Sequence, residues 1–210
     1  MARLIYVMDP MCCWCWGFAP VVGALAEQAA AADVPLQLVV GGLRSERSVM
    51  ADADRARLLD YWRAVQESTG QDFDLQGGLP EGLVYDTEPA CRALVTARAL
   101  APAAVPRLLE LIQRTFYVQG RDVTQACVLA ELAEQAGIDR QAFATAFDSL
   151  EQRQATRQDF AWAQGLGIAG FPTLLAECDG QLALLTNGYQ PLDRLAPLLA
   201  RWLEHGARVG

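Results

Sequence analysis

The chain contains no lysine; all 17 of its basic residues are arginines. Schiff-base chemistry on a lysine amine is therefore excluded. Histidine is nearly absent too, with His205 the single case. That rules out metal centres built from several imidazoles, and a Ser-His-Asp triad would have to use a residue in a polar helix tail. Positive charge is scarce overall. With 25 acidic residues the net charge is -8, whereas a nucleic-acid partner calls for a basic footprint. Long apolar runs are missing: none approaches the roughly 20 residues that cross a bilayer, so no membrane partner is expected. The N-terminus does not read as a signal peptide, because Arg3 is followed at once by a short apolar run, then Asp9 and the cysteines. A cytoplasmic protein is predicted, with its six cysteines mostly reduced rather than forming a disulfide framework. At 210 residues and 52% hydrophobic, the chain can bury one large core, or a core with an inserted segment.

Thiol chemistry survives these exclusions. Cys12 and Cys15 form a C-x-x-C pair within Met8-Asp9-Pro10-Met11-Cys12-Cys13-Trp14-Cys15-Trp16-Gly17-Phe18. The pair lies between an apolar run, Leu4 to Val7, and a helical pattern from about Trp14. A thiol at the first turn of a helix meets unpaired backbone N–H groups and the positive end of the dipole, and both favour the reactive thiolate. C-x-x-C is also half of a zinc site. The second half is absent, since Cys91, Cys127 and Cys178 are isolated. Dithiol–disulfide exchange is the reading this placement favours. Cys12 and Cys15, three apart, share a helix face. A Cys12–Cys13 bridge would need the distance of about 4.4–6.8 Å between Cα atoms that are only about 3.8 Å apart. Cys13 and Cys15 point to different sides. The predicted disulfide is Cys12–Cys15, with Cys13 dispensable. The three isolated cysteines read as small buried hydrophobes.

The remaining pattern gives an architecture. Leu4 to Val7 is a buried strand, and a helix follows to about Ala31, kinked at Pro20. Leu36 to Val40 is a second strand, parallel to the first and ended by Gly41-Gly42. The sequence then reads as helical for more than a hundred residues: Ala53 to Ser68, Glu88 to Leu100, Ala104 to Tyr117, Thr124 to Ala136, Arg140 to Ser149 and Leu150 to Gly165. Thr87 offers a cap for the second of these. Strand character returns at Thr173 to Cys178, turns at Asp179-Gly180 and runs back to Thr186, and a last helix reaches about Glu204. This order predicts an α/β chain. Residues 1–43 and 166–210 would form a thioredoxin-like fold, with an all-helical insertion over 44–165. In that fold Gly170-Phe171-Pro172-Thr173 lies beside the thiols. A cis Phe171-Pro172 bond is expected there, with the Phe171 backbone ready to pair with an extended peptide. Trp14, Trp16 and Phe18 cluster round the thiols; they read either as core packing or as a partly exposed aromatic patch that would bind unfolded polypeptide. Arg44 and Arg47 read as solvated charges.

These stretches resemble the DsbA-type thioredoxin-fold oxidoreductases, in particular the FrnE-like branch. The similarity covers Asp9 to Gly17, Thr87-Glu88-Pro89-Ala90, Tyr117 to Asp122 and Gly170 to Thr173, so it is spread over the length of the chain. The resemblance implies disulfide oxidoreductase or isomerase activity, with Cys12 as nucleophile, Cys15 as resolving thiol and Pro172 as cis-proline. Phe171, Thr173, Trp14 and Trp16 are the expected substrate contacts. It implies no cofactor, and as partners protein thiols and disulfides or unfolded polypeptide, with glutathione as a further reductant. One departure is Cys13, where a small polar residue such as serine is expected. The chain is also similar to the 2-hydroxychromene-2-carboxylate isomerases and kappa-class glutathione transferases, which share the fold, use a serine near this position and bind glutathione. The dithiol argues against their chemistry. A third reading is a non-enzymatic, chaperone-like binder.

Overall fold

A computed structural model describes residues 2–206. Met1 and 207–210, which belong to the outer segments of the expected fold, lie outside the described residues, as does the side chain of His205. The chain opens with β1 (Ala2–Met8), α1 (Cys13–Ala30) and β2 (Leu36–Val40). β2 runs parallel to β1, with Leu4 opposite Leu36 and Met8 opposite Val40, which a helical crossover allows. β1 is covered on both faces. Leu4, Tyr6 and Met8 face the main core, while Ile5 and Val7 join Val39, Ala163 and Leu175 in a second cluster. That double cover explains an apolar run without alternation. α1 continues through Pro20.

After β2 the structure departs from the helical reading. A two-stranded ribbon pairs β3 (Ser45–Val49), which precedes α2 (Asp52–Thr69), with β4 (Val84–Asp86), which follows it. β3 is exposed throughout and reads Ser-Glu-Arg-Ser-Val, so it lacks the apolar alternation that marks a strand in sequence. The helices α3 (Glu88–Leu100), α4 (Val105–Tyr117), α5 (Ala126–Gln135), α6 (Arg140–Phe147) and α7 (Leu150–Gly165) follow, close to the predicted bounds. Asp139 and Ser149 cap α6 and α7 by accepting backbone N–H bonds from Ala142 and Gln152. Trp62 stands at the centre of this segment, its ring 5.5 Å from Phe73, 5.6 Å from Phe116 and 5.1 Å from Tyr117. These rings belong to the same core as β1 and α1.

The edge of β2 is closed by side chains. Arg98 of α3 donates to the Leu38 carbonyl (2.8 Å), and Asp159 of α7 accepts the Val40 N–H (3.1 Å). The two also pair with each other at 2.9 and 3.0 Å. They satisfy backbone groups that a further strand would otherwise claim.

The chain returns through β5 (Thr173–Cys178) and β6 (Gln181–Asn187). The turn between them has φ values of 50° at Asp179 and 81° at Gly180, the positive pair a tight hairpin needs. β5 is antiparallel to β1, and the sheet order is β2-β1-β5-β6. α8 (Leu192–Gly206) packs on α1. Val7 sits opposite Thr173. The end of β1 and the start of β5 therefore meet, and the thiol segment comes to lie beside Gly170 to Thr173.

Candidate active site

Cys12 is the N-cap of α1: its backbone is extended, and its carbonyl accepts the N–H of Cys15 (2.9 Å) and Trp16 (3.1 Å). The helix thus begins at Cys13, one residue earlier than predicted. Cys12 is 5% exposed, and its sulfur lies 3.6 Å from the Phe171 carbonyl oxygen, toward which its S–H is directed. Cys15, one turn on, is fully buried. Burial first, then the hydrogen bond it gives to the Cys12 sulfur, hold its thiol well above the ordinary range. Cys13 is half-buried, and burial together with the neighbouring Cys12 pushes it up to about 12. The structure therefore brings Cys12, Cys15 and the Phe171-Pro172 loop together.

That loop is built tightly. The Phe171–Pro172 bond is cis, as expected. Pro172 is buried, and its carbonyl accepts the Gly188 N–H (2.7 Å). Thr173 is 1% exposed; its hydroxyl donates to the Gly170 carbonyl at 2.9 Å and so closes the turn. The Phe171 ring lies against Gly41, where a Cβ would stand 2.0 Å from the ring carbon Cζ. Of the aromatic cluster, Trp14 is half-buried with its ring 5.9 Å from Tyr189. Phe18 is fully buried. Trp16 turns inward: it stacks on Tyr117 at 6.2 Å and donates its indole N–H to the Asp72 carbonyl (2.9 Å).

Sequence reasoning missed the group that stands behind the dithiol. Asp9 is 0% exposed, and four donors converge on its carboxylate. They are the N–H groups of Met11 (2.8 Å) and Leu43 (2.7 Å), the Thr87 hydroxyl (2.6 Å) and the Cys91 thiol (3.4 Å). Burial outweighs all four and raises its proton affinity. Its charge in turn opposes ionisation of Cys15. Thr87 was expected to cap α3, yet it makes no side-chain cap bond and is given instead to Asp9. Cys91 is buried as expected, and burial followed by the Asp9 charge holds it well above the ordinary thiol range. Cys127, expected to be buried, is exposed near the start of α5. Tyr6 and Tyr85 complete the surround. Burial keeps the Tyr6 hydroxyl protonated, and the charges of Cys15 and Cys12 add to this. Tyr85 donates to the Met11 carbonyl at 2.6 Å, with the Arg44 guanidinium 5.4 Å from its ring centre. A signal for Asp9 was present: an acid set directly against the end of a buried strand, between Met8 and Pro10.

Comparison with known proteins agrees with this geometry. The chain is similar over 98% of its length to a candidate protein disulfide isomerase from Nitrosomonas europaea, at 39% identity, 99% coverage of that chain and a TM-score of 0.91. It is also similar to the cytosolic disulfide reductase DsbM from Pseudomonas aeruginosa, at 31% identity over 95% of this chain and 98% of that one, with a TM-score of 0.77. DsbM is known in a structure with glutathione too, to which this chain is 30% identical. Among curated proteins, the ClpXP adapter protein SpxH of Halalkalibacterium halodurans is 23% identical over 172 residues, 80% of this chain. The chain spans 56% of the length of that relative. The DSBA-like thioredoxin domain model matches residues 3–200, and the chain belongs to that family.

Proposed function

We propose that the protein catalyses thiol–disulfide exchange on protein disulfides through Cys12 and Cys15. The observation that carries this reading is the dithiol at the start of α1, with Cys15 directed at the Cys12 sulfur and the Phe171 carbonyl 3.6 Å from it. The Cys12 thiolate attacks one sulfur of a substrate disulfide, the S–S bond breaks, and the departing thiolate takes up a proton. Cys15 then loses its proton, and its sulfur attacks Cys12 and expels the second substrate thiolate. The substrate gains two electrons and the enzyme ends as the Cys12–Cys15 disulfide. Burial and Cys12 set most of the cost of the second step, and the Asp9 charge adds a smaller part. While ionised, Asp9 opposes the Cys15 thiolate, and the proton Cys15 gives up goes to the departing substrate thiolate. Two glutathione molecules return the pair to the dithiol and leave as glutathione disulfide. The glutathione-bound structure of DsbM supports this partner, and DsbM's cytosolic description supports work in a reducing cytoplasm. Trp14, half-buried beside Tyr189, and the Phe171 backbone offer a polypeptide its first contacts.

Insulin reduction with glutathione tests this reading. Cys12→Ser is expected to abolish turnover, and Cys15→Ser to accumulate a mixed disulfide at Cys12 that resists exchange on a non-reducing gel. Full turnover by a folded Cys12→Ser variant refutes the assignment. So does glutathione conjugation of an aromatic electrophile that survives loss of both thiols, which would point to transferase chemistry.

A further inference from the structure

On the side of α1 turned away from the Phe171-Pro172 loop lies a concavity. It has a volume of about 740 Å³ and lies between α1, the start of β2 and the Pro102–Leu109 stretch that leads into α4. On α1 it is bounded by Ala19, Gly23 and Ala26, whose small side chains leave the space open. A Cβ built on Gly23 meets nothing within 4 Å. Trp16 and Tyr6 form its aromatic end, and Trp16 directly follows Cys15 in the chain. The size falls within the roughly 300–1,000 Å³ of small-molecule sites.

Two observations say what would fill it. First, the charged residues around it are already matched. Arg3 pairs with Glu177, Arg98 with Asp159 and Glu110 with Arg107. A ligand charge would find no free counter-charge and would lose its hydration, so the occupant is neutral. Second, Gln113 of α4 lines the wall, is 1% exposed, and its side-chain amide nitrogen has no hydrogen-bond partner. A buried donor left unpaired costs stability. The terminal torsion of glutamine is soft, so the amide can turn its N–H toward an acceptor placed against the wall. We propose that this cavity binds a neutral, mainly apolar small molecule whose carbonyl oxygen accepts a hydrogen bond from the Gln113 amide, one side chain removed from the redox pair.

The test uses the full chain and the neutral fluorescent ketone Prodan. Saturable binding of one dye per chain with blue-shifted emission is expected. Displacement by 2-acetonaphthone is expected at lower concentration than by 2-ethylnaphthalene, which is of similar shape but lacks the carbonyl. One neutral hydrogen bond sets this ratio at up to about tenfold. Gln113→Leu should bring the ratio close to one while leaving the dye bound. Gly23→Leu fills the space with a better helix former and should weaken the dye at least about tenfold, the scale on which a filled site loses a buried ligand. Thermal unfolding confirms that both variants fold. Equal displacement by the two naphthalenes, a Gln113→Leu variant that keeps the ratio, or dye binding untouched by Gly23→Leu would each overturn the proposal. So would association of the wild-type chain, but not of Gly23→Leu, into a dimer that excludes the dye, since the occupant would then be a second copy.

Discussion

Cys13 stands between the two thiols of the proposed pair, and its reactivity should set it apart from them. Burial and the adjacent Cys12 put its thiol at about 12. At pH 7 such a group is ionised to about one part in 10⁵, whereas an ordinary thiol near 8.5 is ionised to about three parts in 100. The thiolate population is thus roughly 3,000-fold smaller. The more basic thiolate is also the better nucleophile, and a Brønsted slope of about 0.4–0.5 returns about 25–55-fold. The expected net effect is alkylation about a hundredfold slower than at an ordinary thiol. Exposed Cys127 serves as the internal reference. The reduced protein is pulsed with iodoacetamide from pH 6 to 10, quenched and digested, and fragment spectra locate the label. Cys13 should lag Cys127 by about that factor near pH 7, and its rate should still be climbing about tenfold per unit at pH 10. Labelling of Cys13 within about threefold of Cys127, or a plateau below pH 10, would refute the assigned electrostatics. Cys13→Ser should then leave most exchange activity in place.

Thr87→Val keeps the shape but removes a donor from a buried carboxylate (2.6 Å). Denaturant unfolding should report a loss of about 1.5–3 kcal/mol, with Thr87→Ser close to wild type. Asp9 itself gives stability a definite pH dependence, because burial raises its folded value above the ordinary 3.8. Its contribution is complete below that ordinary value and is lost as pH rises through the folded one. The wild-type stability minus that of Asp9→Asn should therefore fall with rising pH, and a difference that grows would contradict the sign. Gly41→Ala places a Cβ 2.0 Å from the Phe171 ring. The ring must move, at about 1–3 kcal/mol of stability, and insulin reduction should slow with it. Adding Phe171→Leu should restore part of both, and an unaltered single variant would remove Phe171 packing as a constraint on the loop.

Much of the fold was legible because its signals are local. The apolar run of β1 reads as buried because both its faces are covered, by the main core on one side and by Val39, Ala163 and Leu175 on the other. Asp179-Gly180 reads as a turn because the backbone there needs two positive φ angles. β3 left no such trace. Its five residues are exposed and polar, and its pairing depends on β4, which returns only after α2. α5 begins at Ala126 rather than near Thr124 because the Asp122 carboxylate takes the Thr124 N–H (2.9 Å) and hydroxyl (2.7 Å) in a local turn that competes with the helix.

At the candidate site the same division runs between near and far. Cys12 and Cys15 are recognisable because three residues span one helical turn. The Phe171-Pro172 loop is recognisable because it opens a strand. Asp9 lies in the same segment, yet its chemistry comes from groups 34, 78 and 82 positions away, at Leu43, Thr87 and Cys91. No spacing rule connects those positions. They meet because Thr87 and Cys91 stand at the start of α3, and the Leu43 N–H follows the end of β2. The start of α3 thereby reaches into the candidate site. An acid buried with only the Met11 and Leu43 amides would keep two of its four donors, and its ionised form would be costlier still. Thr87 and Cys91 supply the other two, so the docking of α3 is coupled to the proton affinity of the group whose charge Cys15 must overcome. A shift of α3 away from Asp9 should therefore register in the pH dependence of Cys15, whose ionisation the Asp9 charge opposes.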